Sequence, residues 1–415
     1  MNKPSKLLWA LLSVSLLAAC QKTPETIYYS NDAIHNVTLL KHVIGEKAKS
    51  DTITNYQVGG ADLGFPLYDE KTGKSLTFFG DTFVSPLQSG NWRSNTIAVS
   101  TDKNYDDGYD IDGFIHNEKG VAIPAIEGHH VNRYEMTKIP TGAIAIDGVY
   151  YLFYFSKYSW DSAVGDANSM NYGGAVKSTD GGQSWERVYD LTWVNHAVDD
   201  PSIPLRAKVE DIQTLINENA SLEKNQGNVN LAHHEGYRFT EIFPIDGKDG
   251  YIYCFGMGGY RSGYTSLARV KKENFEVFDD YEYLTSYGTN NAPIWTPGRE
   301  GLDLLAKSDE GYCLTVTSSE MSITYNKYLG KWLLLMTSNW NGFGAYYFQA
   351  SNIWGPYTRK GQIIIPASSD VLEQKSLYAP LTCEHWQKED GKTFYLYLSC
   401  WMPIYCPYFL KVELA

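Results

Sequence analysis

The chain has 415 residues, enough to bury a large core as one big β domain or as two or three smaller units. Its formal charge of −13 argues against nucleic acid and anionic lipid surfaces as partners, because both are held by basic patches. The charge says nothing about a substrate.

Residues 1–20, MNKPSKLLWALLSVSLLAAC, read as a targeting segment and not as structure. Lys3 and Lys6 precede an apolar run from Leu7 to Leu17 that is too short to span a bilayer as a folded helix. Small residues then lead to Cys20, an arrangement that resembles the bacterial lipoprotein signal, in which cleavage precedes the cysteine and its thiol is acylated. An ordinary secretory signal with an incidental cysteine is the alternative. With Cys20 acylated, the expected location is the cell envelope, anchored to a bacterial membrane at the outer membrane or cell surface. Residues 21–50 read as a polar tether and 51–415 as the folded domain.

From residue 56 onward, short aromatic and β-branched runs alternate with Gly, Asn, Asp and Pro turns, as in SLTFFG, GAIAIDGVYYLFYFS, GYIYCFGM, KWLLLMTS and KTFYLYLS. This spacing predicts an all-β chain of antiparallel hairpins. A single sandwich uses about seven to nine strands in roughly 100 residues, too few for this stretch. Four-stranded propeller blades absorb the length, with five blades expected and four to seven open.

The first hairpin is VGGADLGFPLYDEKTGKSLTFFGDTF, residues 58–83. With residues 69–74 as its loop, Leu67 faces Leu76, Phe65 faces Phe78, and Asp62 falls opposite Asp81. Directly opposed residues stand about 4.5–5.5 Å apart at Cβ. Two carboxylates would then share one end of a hydrophobic hairpin, where one pKa rises, unless a one-residue bulge breaks the register. The alternative makes both aspartates turn caps. Gly59, Gly60 and Gly64 allow close approach by backbone or ligand, and Trp92-Arg93-Ser94-Asn95 heads the next strand with a fixed cation and an amide. Arg93, Asn95 and Trp92 are therefore candidate substrate contacts.

Farther along, His129-His130 and His233-His234 do not suit a metal, because adjacent strand residues point to opposite faces. No cysteine spacing matches a zinc site, so no metal or other cofactor is expected. Ser178 to Trp185, STDGGQSW, fits the S-x-D-x-G-x-x-W turn known as the Asp box, which is structural. Residues 205–223 carry apolar side chains at helical spacing and predict a short helical insertion, either at the rim of a binding face or as a buttress.

Arg261 and Tyr264, in a glycine-rich segment, are candidate substrate contacts. So are Trp295 and Trp340, with Trp160, as stacking platforms for sugar rings in turn-rich surroundings. Glu320 opens TSSEMSITYN. Alternation puts it with Ser322 and Thr324 on one face, making it the best third acid, or else a solvated strand-end residue; Glu235 and Glu241 are weaker candidates. Five cysteines follow Cys20, an odd number. Cys400 and Cys406 either bridge or serve as buried small hydrophobes. No nucleophile elbow, P-loop, dinucleotide fingerprint or zinc-protease helix occurs.

The run ADLGFPLYDEKTGKSLTFFGDTF resembles the opening of a bacterial domain long catalogued as of unknown function and later assigned endo-D-arabinanase activity, glycoside hydrolase family 183. WRSNTIAVS, IPTGAIAIDGVYYLFYFS, CFGMGGYRSGYTSLARV, SSEMSITYNKYLGKWLLLM, SNIWGPYT and LSCWMPIYCPYFLKVEL continue the pattern over roughly residues 56–414. The helical insertion and the cysteine-containing C-terminal strand depart from it. The resemblance implies a propeller glycosidase that cuts internal α-D-arabinofuranose bonds of D-arabinan, with Asp62 and Asp81 as its acidic residues. Glycoside hydrolysis requires a pair of carboxyl groups in any case. A sialidase-like or L-arabinan glycosidase, and a non-catalytic glycan-binding propeller, are the competing expectations.

Overall fold

The apolar runs form antiparallel strands in five sheets, arranged as the five blades of a β-propeller. The computed structural model describes residues 34–46, 48–196, 201–202, 206–218, 235–337, 345–363 and 377–415. Cys20, His233, His234 and Trp340 lie outside the described residues.

Blade 1 runs outward from Leu63–Asp69 through Lys74–Phe79 and Thr96–Ser100 to Gly113–Phe114. Blade 2 comprises Thr137–Ile146, Val149–Lys157, Met170–Ser178 and Glu186–Val194. Blade 3 starts with Glu241–Asp246, Tyr251–Met257 and Thr265–Lys271 and adds Glu282–Tyr287 and Pro293–Pro297 outside them. Blade 4 is Met321–Asn326, Lys331–Met336, Ala345–Ala350 and Thr358–Ile363. Blade 5 begins with Leu377–Leu381, Thr393–Cys400 and Cys406–Leu414. In each blade the first strand is innermost; neighbouring innermost strands touch around the axis, and those of blades 5 and 1 close the circle.

The outermost strand of blade 5 comes from the other end of the chain: Ile34–His42 pairs antiparallel with Cys406–Leu414, from Ile34 opposite Leu414 to His42 opposite Tyr408. This corrects the expectation of a tether for residues 34–42; residues 21–33 lie outside the described residues. Among the described residues IHNVTLLKH is an edge strand, bonded on one side only. It buries Ile34, Val37 and His42 while presenting polar residues outward, so its composition reads as a linker. The fold thereby ties residue 34 to residue 414, closing the ring with main-chain hydrogen bonds.

Most aromatics are core, as blade-to-blade packing requires: Trp193, Trp386, Tyr109, Tyr253, Tyr283, Tyr395 and Tyr397 are fully buried. The Asp-box turn forms as expected between the third and fourth strands of blade 2. Asp180 accepts from the Gln183 and Ser184 amides at 3.0 Å, and Trp185 meets Phe78 of blade 1 edge-on at 5.6 Å. The hydrogen bonds from Ser184 hold the Asp180 carboxyl low, at about 2. Within the expected helical insertion, the described helix is Val209–Glu218, which buries Ile212, Leu215 and Ile216. Cys254, Cys313 and Cys383 are free thiols, and Cys400 and Cys406 sit opposite each other as buried side chains.

Candidate active site

Asp62 immediately precedes the innermost strand of blade 1 and Glu320 that of blade 4; Thr137, Glu241 and Leu377-Tyr378 open those of blades 2, 3 and 5. One polar residue per blade is thus delivered to the same end of the axis. Three of these innermost strands carry a bulge just inside the mouth, at Leu63/Phe65, Pro140/Gly142 and Tyr378/Pro380. Bulges of this kind bend the strand and re-aim side chains. Leu63 (φ 61°), Tyr260 (φ 37°), Arg261 (φ 62°) and Ala379 (φ 51°), all beside mouth residues, adopt left-handed backbone conformations that are strained for non-glycine residues.

The first hairpin keeps the expected register from Asp69↔Lys74 through Leu67↔Leu76 to Phe65↔Phe78. At Gly64 (φ 110°) the bulge inserts a residue, so Leu63 pairs with Phe79 and the Gly80 amide donates to the Asp62 carbonyl at 3.0 Å. Asp62 therefore faces Gly80, not Asp81. Glycine is needed there: a Cβ at position 80 would lie 2.3 Å from Asp62 Oδ1. Even so, the two carboxyl groups remain electrostatic neighbours, and the charge of Asp62 raises Asp81.

Both aspartates are 8% exposed and anchored by neutral donors. The Tyr378 hydroxyl donates to Asp62 Oδ2 at 2.5 Å, and Tyr405, from the hairpin between the last two strands, bonds the same carboxyl. The Thr137 hydroxyl at 2.6 Å and the Trp92 indole N–H at 2.8 Å both donate to Asp81 Oδ1. Burial pushes Asp62 up to about 6, against the opposing pull of the two tyrosines. Asp81 is pushed up to about 7, by burial first and by the Asp62 charge as well. Two carboxyl groups so placed titrate as a coupled pair that retains a proton near neutrality.

Glu320, 2% exposed, takes a different position. Arg261 Nε lies 2.9 Å from both of its oxygens and Nη2 lies 2.5 Å from Oε1. The alternation read from sequence holds, for Ser322 donates to the Pro380 carbonyl of blade 5 at 2.9 Å and Thr324 accepts from Gln387 at 2.8 Å. Glu320 itself precedes the strand and is held by Arg261 of blade 3. Arg261 lies over the Tyr378 ring at 4.8 Å, which links the ion pair to the residue that bonds Asp62.

Other sequence candidates are distributed unevenly. Trp92 is at the site, as a donor to Asp81 that stacks on Phe83 at 6.0 Å and meets His130 at 4.0 Å. The Arg93 guanidinium is spent on the carbonyls of Asn91, Gln57 and Ala122, and the Asn95 amide bridges Ile126, Lys138 and Ala125. These two residues brace the loops behind Trp92 and leave no group for a ligand. Tyr264 is exposed and packs edge-on against Tyr312. Trp295 lies on the outermost strand of blade 3, against Tyr253 and Arg269, far from the axis. Trp160 is 42% exposed at the mouth, edge-on to Tyr260 at 5.3 Å and 4.4 Å from Lys157 Nζ. His129 bridges Glu135 at 2.6 Å and Glu218 at 2.8 Å, which fixes the helical insertion to the loop leading into blade 2 at the same face.

Thr137, Tyr378, Tyr405 and Lys157 escaped the sequence reading. Each stands beside a strand end in a run that reads as ordinary β core, and only the position of a strand start relative to the axis distinguishes it. The opposite half of the axis holds a cavity of about 920 Å³ lined by Phe65, Glu70, Asp147, Lys248, Lys327 and His385, among others. The elevated carboxyl groups line the other end. Among the described residues no cluster of three or more His, Cys, Asp or Glu side chains is arranged to hold a metal ion.

Residues 47–411 match a family described as a domain of unknown function (DUF4185). No curated protein matches the chain. Solved structures similar to it include an endo-arabinase from Bacteroides thetaiotaomicron, at 11% identity over 87% of this chain and 96% of that one, with a TM-score of 0.42. A family 117 glycoside hydrolase produced by the marine bacterium Zobellia galactanivorans is similar at 11% identity over 92% and 91%, with a TM-score of 0.45. A GH43_1 enzyme from Xanthomonas citri is similar at 9% identity over 91% of both chains, with a TM-score of 0.46. Likeness at this level carries no residue role and no activity over to this chain.

Proposed function

The chain belongs to the DUF4185 family, and we propose that it is an endo-acting glycoside hydrolase that cuts internal α-D-arabinofuranosidic bonds of D-arabinan. The observation that carries this reading is the pair Asp62 and Asp81: two carboxyl groups of one blade, both lifted toward neutrality and both held by uncharged donors at the axial mouth. Glycoside hydrolysis needs one carboxyl that protonates the leaving oxygen and a second that acts as base or nucleophile. A coupled pair holding one proton near pH 6–7 supplies both states at once. The sugar specificity rests on the sequence resemblance to family 183.

In this reading Glu320 is not the proton donor. Arg261 engages both of its oxygens, and Glu320 instead fixes the guanidinium beside Tyr378. Trp160 offers an exposed ring face to a sugar, and Trp92 orients Asp81 from behind. Tyr264 and Trp340 are proposed as further substrate contacts. Acylation of Cys20 would hold the enzyme on a bacterial envelope membrane, with polysaccharide as its partner.

Incubation of purified protein with arabinogalactan tests the reading. The wild type should release oligosaccharides, while Asp62→Asn and Asp81→Asn should bind the polymer without cutting it. Binding without release by the wild type would instead make the chain a glycan-binding propeller.

A further inference from the structure

Beside the aspartates, blades 2 to 4 bring four further ionisable side chains to the mouth. Lys157 ends the second strand of blade 2, Glu241 opens blade 3, Arg261 follows the second strand of blade 3, and Glu320 precedes blade 4. Lys157 is 1% exposed; its Nζ donates to Ser169 Oγ at 2.6 Å and lies 3.4 Å from the Tyr260 ring centre. Arg261 is committed to Glu320 and to the faces of Tyr260 and Tyr378. Glu241 is completely buried, and neither of its carboxyl oxygens has a hydrogen-bond partner among the described residues. Alternation puts it on the same face as Phe243, whose ring meets Phe65 of blade 1 at 6.0 Å, so the orphan carboxyl points to the axial side of its strand.

A buried carboxylate without a donor is among the costliest groups a fold can hold, and the usual remedy is a proton. The titratable groups facing Glu241 are Lys157 and Asp166 from blade 2, Tyr237, Tyr260 and Arg261 from blade 3, and Glu320 from blade 4. Burial, and next the Glu320 charge, raise Glu241 well above an ordinary glutamate. Were it ionised, it would compete with Glu320 for Arg261.

We propose that Glu241 is a positioning residue that acts as a neutral carboxylic acid, leaving Arg261 committed to Glu320 and, through the Tyr378 ring, to the orientation of Asp62. The catalytic arm of this inference rests on the hydrolase reading; the stability arm does not. Two variants test it. Glu241→Gln copies the neutral acid at every pH and should keep kcat within about threefold and leave the pH profile in place. Glu241→Ala opens space beside Arg261 and should lower kcat at least tenfold, move the acid limb of the profile, and change KM little. Independently of substrate, the Gln variant should match the wild-type Tm near pH 4 and gain on it steadily as the pH rises above the ordinary glutamate value of 4.5, because the unfolded wild type then ionises while the buried acid of the folded state does not.

A Gln variant as impaired as the Ala variant would overturn the proposal by showing that the negative charge is required. A Tm difference between wild type and Gln variant that stays constant from pH 4 to pH 9 would also overturn it, as would an Ala variant whose pH profile is unmoved. If no form of the protein turns over arabinan, the hydrolase reading falls, and the Tm comparison still decides the state of Glu241, including where the Ala variant does not fold.

Discussion

Replacing Asp81 by Asn should stabilise the protein at pH 8 and leave it unchanged near pH 4. The carboxyl is pushed from an ordinary 3.8 up to about 7 by burial, with the neighbouring Asp62 charge adding to the effect. A folded-state value above the unfolded one means that folding takes up a proton. The associated stability is complete below about pH 4 and is lost as the pH rises through about 7. Three pH units at about 1.4 kcal/mol each put the ceiling on that loss at roughly 4 kcal/mol. An asparagine oxygen still accepts from Thr137 and Trp92, but its amide hydrogens need partners of their own, so a net gain of about 2 kcal/mol at pH 8 is the working figure. Apparent Tm of both proteins, measured between pH 4 and pH 8, gives the comparison. Parallel curves, or a wild type that gains on the variant as the pH rises, would refute the burial argument for this pair.

Other consequences follow from the same geometry. Arg261→Ala leaves Glu320 buried and unpaired and should cost roughly 3–5 kcal/mol, read by chemical denaturation. Arg261→Met combined with Glu320→Leu should recover most of that loss, since replacing a buried ion pair by apolar side chains is often neutral. Thr137→Val removes a donor that favours ionised Asp81 and should move the alkaline limb of kcat/KM upward by roughly half a unit to one unit, read from a pH–rate profile. Tyr378→Phe deletes the hydroxyl that fixes Asp62 and should reduce kcat by about 10- to 100-fold with little change in Tm, read by steady-state kinetics.

Much of the architecture was legible in the chain because propeller strands announce themselves: short apolar runs, turn residues between them, and one Asp-box turn whose chemistry is local. The first hairpin was readable pair by pair as far as Phe65. It failed at Gly64, where a bulge that depends on close packing against the Tyr397 ring shifts the register by one and brings Gly80 opposite Asp62. Asp62 and Asp81 nevertheless share the mouth, because the bulge displaces them along the hairpin without separating the strands. Residues 34–42 were misread because a solvent-facing edge strand and a tether have similar compositions. Arg93 and Asn95 looked like ligand contacts from residue type alone, but their partners are carbonyls and amides distant in sequence. Tyr378 and Thr137 were invisible for the converse reason: nothing local distinguishes the strand ends that meet on the axis.

The central claim is that Asp62 and Asp81 are the pair that breaks the glycosidic bond. Its most direct measurement is the initial rate of fragment release from purified D-arabinan by the wild type, Asp62→Asn, Asp81→Asn and Glu320→Gln, each first shown to fold and to bind the polymer. The account predicts internal cleavage by the wild type and a loss of at least about 100-fold in each Asn variant, the scale of a lost acid–base group. It predicts a smaller loss in Glu320→Gln. Wild-type protein that binds D-arabinan and releases nothing, or Asn variants that cut at the wild-type rate, would contradict it.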